Sequence, residues 1–133
     1  MKFNTSREQL AWAAGFFDGE GHIRNQDYGT LRLTVTQVDT RPLARFIMAV
    51  KCLGNVIGPY GDSRGKRQPV YMFSASSFEE VQAIVAMLWC FLSAPKREQV
   101  VKAFRDRREY LDAKLASGLS QREYGPYLHT KGA

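Results

Sequence analysis

Three small residues recur at four-residue spacing in the stretch Ala11-Trp12-Ala13-Ala14-Gly15-Phe16-Phe17-Asp18-Gly19-Glu20-Gly21. Residues four apart are neighbours on a helix surface, so Ala11, Gly15 and Gly19 share one stripe. Glycine inside a helix costs about 1 kcal/mol relative to alanine, and its use here therefore needs a packing reason. The stripe predicts a helix face that a second helix can approach backbone to backbone.

Two acidic residues, Asp18 and Glu20, end this stretch in a bend framed by glycines. Carboxylates beside open backbone are hard-oxygen ligands of the kind that Mg²⁺ binds. An isolated Glu in a loop is ordinarily a solvated turn residue, whereas Asp18 has the alternative of capping or pairing at a helix end. The glycine frame and the preceding stripe favour metal ligation by Glu20.

The sequence on either side of this stretch alternates between helical and extended patterns. Ser6 followed by Gln9 resembles a capping box and marks the start of the first helix. Residues 22–28 and 31–38 alternate apolar with polar side chains, which predicts an antiparallel hairpin with one basic face. Residues 56–60 and 69–75 predict a second hairpin.

Three further helices are expected. Pro42 marks the start of one that continues from Leu43 to Leu53. The apolar run from Val81 to Pro95 predicts a buried helix, and an amphipathic helix follows from Lys96 to about Asp112. This order predicts an α+β fold with one antiparallel sheet. We assign residues 1–116 to a single domain and 117–133 to a loosely ordered tail.

The 133 residues carry a formal charge of +6. Most of that charge lies in residues 21–75, which contain eight basic and three acidic side chains. A basic, strand-rich segment is typical of nucleic-acid binding, although charge alone is equally compatible with the solvated surface of a basic protein. The apolar run is too short to cross a bilayer. We therefore expect a soluble, intracellular protein without a membrane partner or a small-molecule substrate.

The two cysteines, Cys52 and Cys90, have neither a disulfide framework nor a zinc-site spacing. We expect both to be buried thiols in a reducing compartment.

The polar face of the predicted sheet has no further element to cover it, and such a face fits a DNA major groove. By strand parity, the residues expected to contact bases are His22, Arg24, Gln26, Tyr28, Arg32 and Thr34 from the first hairpin, and Tyr60, Lys66, Gln68, Val70 and Met72 from the second.

The nine residues from Ala13 to Gly21 resemble the motif of the LAGLIDADG homing endonuclease family. Ala13 stands where the motif has leucine, two phenylalanines replace aliphatic residues, and Glu20 replaces the second aspartate while keeping a carboxylate. The predicted element order over about residues 6–112 fits the family's αββαββα core. The resemblance implies a four-stranded, saddle-shaped antiparallel sheet with helices on one face and DNA on the other.

The resemblance also implies roles for individual residues. Gln37 and Arg41, at the end of the second strand, are similar to residues of the family's solvent network around the scissile phosphate. Lys96 is similar to a lysine that points into the same pocket. Asp18 stands at a motif position that is mostly structural in the family.

The sequence holds one copy of the motif, and a single Glu20 cannot build a two-metal site. A two-fold dimer across Ala11, Gly15 and Gly19 would bring two Glu20 carboxylates and two Gly19 carbonyls to the axis, where they would hold Mg²⁺. Mn²⁺ is expected to substitute, and Ca²⁺ to bind without turnover. The resemblance implies an intron- or intein-associated homing endonuclease that cleaves both strands of a long pseudo-palindromic site with 3′ overhangs, in the nucleoid or in an organelle that encodes it.

Two other functions remain open from the sequence. The same fold serves as an intron RNA maturase or as a DNA-binding protein that does not cleave. Alternatively, the chain is an α+β interaction protein whose small-residue stripe serves dimerisation alone.

Overall fold

A computed structural model describes residues 6–61 and 68–117, in which helices and strands follow one another in the predicted order. The helices are α1 (Arg7–Glu20), α2 (Thr40–Ala49), α3 (Phe78–Leu88) and α4 (Ala94–Ala116). The strands are β1 (Gly21–Gln26), β2 (Thr30–Gln37), β3 (Asn55–Tyr60) and β4 (Val70–Ala75). A single 3₁₀ turn joins β1 to β2, and another lies between α3 and α4.

The four strands form one sheet in the order β1-β2-β4-β3, and every neighbouring pair is antiparallel. In the β1–β2 pair Ile23 lies opposite Leu33, and in the β2–β4 pair Val35 lies opposite Phe73. The α+β fold with a four-stranded antiparallel sheet is therefore confirmed.

One face of the sheet forms the hydrophobic core. Ile23, Leu33, Val35 and Phe73 are buried on this face, and all four helices contact strands there. Aromatic rings continue the core into the helices, because the ring of Phe46 lies 4.9 Å from that of Phe73. The other face, which we call the open face, is covered by no element of the described residues.

The helices begin at residues whose side chains cap them. The hydroxyl of Ser6 accepts a hydrogen bond from the Gln9 amide at 3.1 Å, as the capping-box pattern predicted. Ser77 does the same for α3, and Asp39 caps α2. Each cap satisfies an amide that has no acceptor within its helix.

Helix α2 ends at Ala49 and not at Leu53 as predicted. Lys51 and Cys52 adopt φ angles of 60° and 61°, in the left-handed region that ends a helix. Gly54 follows at φ +87°, where an added Cβ would lie 2.7 Å from the ring of Phe73. The turn therefore passes so close to the core that only glycine fits there.

The helix formed by the apolar run after Ser77 is also shorter than predicted. Helix α3 ends at Leu88, and Ser93 caps α4, which begins at Ala94. Pro95 lies in the first turn of α4, where the missing amide hydrogen costs nothing, so it does not end the preceding helix as expected. No helix in the described ranges is long and apolar enough to cross a bilayer.

The expectation of buried thiols is wrong. Cys52 and Cys90 are both exposed free cysteines. Each follows an element that ends earlier than predicted, so neither side chain is carried into the core by a continuing helix.

Replacing Phe46 with Ala should destabilise the protein by about 3–5 kcal/mol, because the fully buried ring would leave a cavity between α1, α2 and the sheet. Met48→Ala on the same helix, where the side chain is largely exposed, is the control and should cost far less. Urea unfolding measures both, and equal losses for the two variants would contradict the core described above.

Candidate active site

Glu20 is the last residue of α1 and leads directly into β1. Its side chain is exposed and takes part in no ion pair with the described residues. Gly21 follows it at a position where an added Cβ would collide with the ring of Phe17. The chain therefore turns sharply from helix to strand, and the turn presents the carboxylate to solvent.

The small-residue stripe of α1 faces outward. Ala11, Gly15 and Gly19 are exposed, and an added Cβ at either glycine would meet nothing within 4 Å. Packing within the described part of the protomer therefore does not require glycine at these two positions. Glu20 lies at the end of this stripe.

Asp18 joins the end of α1 to the start of α4. Its carboxylate accepts hydrogen bonds from the Ser93 amide at 3.1 and 3.2 Å and from the Ser93 hydroxyl at 3.1 Å. Ser93 is the residue that caps α4. Among the described residues, Asp18 thus has a partner in the fold and Glu20 has none.

Lys96 lies beside the turn that follows Glu20. Its ammonium donates to the Gly21 carbonyl at 2.9 Å and to the Gln99 side-chain oxygen at 3.0 Å. Partial burial lowers the pKa of Lys96 below its ordinary value, and the nearby Asp18 carboxylate opposes that shift. The structure therefore places a positive charge at the backbone turn that follows Glu20.

Gln37 and Arg41 lie near the end of β2. Because Val35 pairs with Gly21, this end of β2 is at the same edge of the sheet as Glu20. Arg41 holds the Asp39 carboxylate with hydrogen bonds of 2.5 to 3.0 Å, which lower the pKa of Asp39 to about 2 and raise that of Arg41. Neither Gln37 nor Arg41 contacts Glu20 in the described structure.

The register of the strands places most of the predicted base-contacting residues on the open face. His22 lies opposite Thr34, and Arg24 lies opposite Arg32. Gln26 belongs to the same row of β1, and Val70 and Met72 belong to the corresponding row of β4. Tyr60 is half exposed opposite Val70, Gln68 is exposed just before β4, and Lys66 lies outside the described residues.

Tyr28 is not a strand residue, contrary to the parity argument. It lies in the turn Asp27–Gly29 with φ 64° and is 81% exposed. Gly29, with φ 76°, completes the turn. Tyr28 therefore projects from the tip of the hairpin and is not part of the row formed by His22, Arg24 and Gln26.

Several residues of the open face were not predicted from the sequence. Those on the open face are Thr30, Thr36, Asn55, Ile57 and Ser74. The alternation in β2 was a sufficient signal for the two threonines. The residues of β3 and β4 could not be assigned to this face without the pairing register. Gln99, which lies on α4 and not on the open face, was also not predicted; it accepts a hydrogen bond from Lys96.

A metal site would need more than the groups of one protomer. Within residues 6–61 and 68–117, no group of three or more His, Cys, Asp or Glu side chains lies close enough to hold a metal ion. The exposed Glu20 carboxylate and the exposed backbone at Gly19 are nevertheless hard-oxygen donors that fit Mg²⁺.

No family model and no curated protein matches the sequence, but solved structures match the fold. The homing endonuclease I-CvuI, in complex with its target, gives a TM-score of 0.58 at 24% identity, over 80% of this chain and 70% of that one. The archaeal intron-encoded homing endonuclease I-Vdi141I, complexed with DNA, gives 0.56 at 19% identity, over 95% and 84%. The LAGLIDADG meganuclease I-CpaMI, bound to uncleaved DNA, gives 0.53 at 18% identity, over 89% and 40%. The chain therefore has the LAGLIDADG homing endonuclease fold.

Arg41→Gln should raise the pKa of Asp39 from about 2 toward 3.8, because the variant loses the guanidinium hydrogen bonds and charge. In the wild type the folded pKa is lower than the unfolded one. The pair therefore stabilises the fold above about pH 4, and this contribution is lost as the pH falls toward 2. Carboxyl NMR titration of Asp39 measures the shift. Arg108→Gln is the control, and an Asp39 titration that is the same in wild type and Arg41→Gln would contradict the pairing.

Proposed function

We propose that this protein is a site-specific double-strand DNA endonuclease that works as a homodimer. One observation carries the proposal: Glu20, exposed and without an ion pair to residues 6–61 or 68–117, lies where an outward-facing glycine stripe meets the open, basic face of a sheet. The solved structures of similar fold support it, since they are homing endonucleases in complex with DNA.

Dimerisation through α1 explains why this helix contains glycine. Gly15 and Gly19 each cost about 1 kcal/mol of helix stability relative to alanine, and no contact within the described protomer requires them. A two-fold contact places the same stripe of both copies together, so that close backbone packing offsets this cost. The lengths of the similar structures support one copy of the motif per chain, because this chain spans 84% of I-Vdi141I but 40% of I-CpaMI.

The dimer would bring both Glu20 side chains to its axis. Two Glu20 carboxylates and the Gly19 carbonyls would then hold Mg²⁺. When bound, the metal polarises a scissile phosphate and lowers the pKa of a bound water. Mn²⁺ would serve in its place, and Ca²⁺ would bind without turnover.

Residues around Glu20 would act on the same phosphate. Lys96, held at the Gly21 carbonyl, supplies positive charge beside the reacting group. Gln37 and Arg41 lie at the same edge of the sheet, where they would orient water and phosphate. Asp18 would act through the fold by fixing the start of the helix that carries Lys96.

The open face would lie in the major groove and read the bases of a long, pseudo-palindromic site. Two copies of a chain with charge +6 carry +12, so DNA binding should weaken steeply as salt rises. Cleavage near the axis would leave 3′ overhangs. Such a protein would work wherever its DNA lies, in the nucleoid or in an organelle.

Gly15→Leu should separate folding from dimerisation. The protomer should be as stable as the wild type or gain up to about 1 kcal/mol, because the new side chain meets nothing within the protomer and leucine favours helix. The dimer dissociation constant should rise by about two orders of magnitude, since the helices can no longer approach closely. Sedimentation over a concentration series measures it, with Ala44→Leu on α2 as the control.

A wild-type monomer at micromolar concentration, or a Gly15→Leu dimer as tight as the wild type, would rule out dimerisation through α1.

Glu20→Gln should lower DNA cleavage by about a thousandfold while DNA binding is retained, because the amide cannot hold the metal. Wild type and variant are incubated side by side with a plasmid library of randomised inserts and Mg²⁺, and cleaved sites are sequenced. Glu109→Gln on the exposed surface of α4 is the matched control and should cleave like the wild type.

If the wild type selects sites by binding but never cleaves them, the protein is a binding module on this fold and the nuclease proposal fails. Chelation with EDTA should abolish cleavage, and cleavage that persists in EDTA would exclude the metal site at Glu20.

A further inference from the structure

Two arginines lie directly opposite each other on the open face. Arg24 of β1 pairs with Arg32 of β2, and their neighbours Ile23 and Leu33 point the other way into the core. Side chains opposed in this way have Cβ atoms about 5 Å apart, and like charges at that distance destabilise a sheet. The fold by itself therefore gives no reason for this pair.

The described part of the chain neutralises neither arginine. Its ion pairs join Asp39, Asp106 and Asp112 to other basic residues. The Nε atom of Arg32 is shielded from solvent and makes no hydrogen bond, although buried polar atoms are nearly always bonded. The pair is thus a cluster of positive charge with unused donors.

We propose that Arg24 and Arg32 read two neighbouring G·C base pairs in each half of the DNA target, an inference that rests on the proposed function. Guanine presents two acceptors, O6 and N7, on its major-groove edge, and the planar fork of arginine matches both. Adenine presents an acceptor beside a donor, and that donor opposes a guanidinium. Phosphates also accept such a fork, but they border the groove, whereas Arg32 lies on β2, an inner strand of the sheet, and Arg24 is directly opposite it on β1.

Two separate base pairs are needed because one base pair holds a single guanine. The two arginines lie at the same level along the strands, side by side across the groove, with Cβ atoms about 5 Å apart. Both side chains are long enough to reach base pairs that are stacked about 3.4 Å apart at that level. The two guanines therefore lie on adjacent pairs, on the same strand or on opposite strands.

The position of the two G·C pairs in the DNA target follows from the place of Arg24 on β1. Arg24 is four residues along the chain from Glu20, or about 13 Å at the rise of an extended strand. That distance corresponds to about four base pairs of DNA. The two G·C pairs should thus occur symmetrically, about four base pairs outward from the phosphate that Glu20 addresses.

The test is a binding selection from a two-fold symmetric library of randomised duplexes, performed in Ca²⁺ so that it does not depend on cleavage. Wild type should enrich two adjacent G·C pairs in each half-site. Arg24→Gln should reduce the preference for guanine at one of them by about tenfold, and Arg32→Gln at its neighbour. Arg108→Gln on α4 removes the same charge away from the open face and should leave the selected sequence unchanged.

Uniform weakening on all sequences by Arg24→Gln and Arg32→Gln would assign both arginines to phosphate and overturn the inference, while leaving the nuclease proposal intact. A wild-type site without paired G·C positions would overturn it in the same way. If the wild type enriches no sequence at all, both the inference and the proposed function fail.

Discussion

The outward face of α1 is the constraint on which the rest of this structure depends. Gly15 and Gly19 give that face no side chains, and nothing in the described protomer packs against it. In the proposed dimer, close packing of this face against a second copy of α1 would offset the cost of the two glycines. Because Glu20 ends the same helix, whatever packs on the stripe also decides what surrounds that carboxylate.

The two acidic residues of the motif have different surroundings because two residues span only about half a turn of helix. Asp18 faces the start of α4 and binds the amide and hydroxyl of Ser93, which fixes α4 to α1. Glu20 lies two residues later and faces solvent. The fixed α4 in turn carries Lys96 to the Gly21 carbonyl, so the Asp18 carboxylate helps to set the position of a positive charge at the turn that follows Glu20.

The sheet divides the molecule into a face that packs beneath the helices and a face that the described residues leave open. Residues such as Leu33 and Phe73 are fully buried beneath the helices, and this packing stabilises the fold. The opposite face is therefore free to carry side chains that the fold does not need. One example is the pair Arg24 and Arg32, which lie opposite each other. Neither has a neutralising partner in the described chain, so the pair does not stabilise the sheet.

The sequence by itself determined the order of helices and strands, the cap at Ser6, the faces of the strands and the outward stripe of α1, because each depends on side chains a few residues apart. Only the tertiary structure decided where α2 ends, since Gly54 must pass under Phe73. It also decided that Tyr28 lies in a turn, that Asp18 binds Ser93, and that Lys96 reaches the Gly21 carbonyl. Such contacts join residues that are distant in the chain or fix backbone angles that residue type does not specify, so no local pattern encodes them.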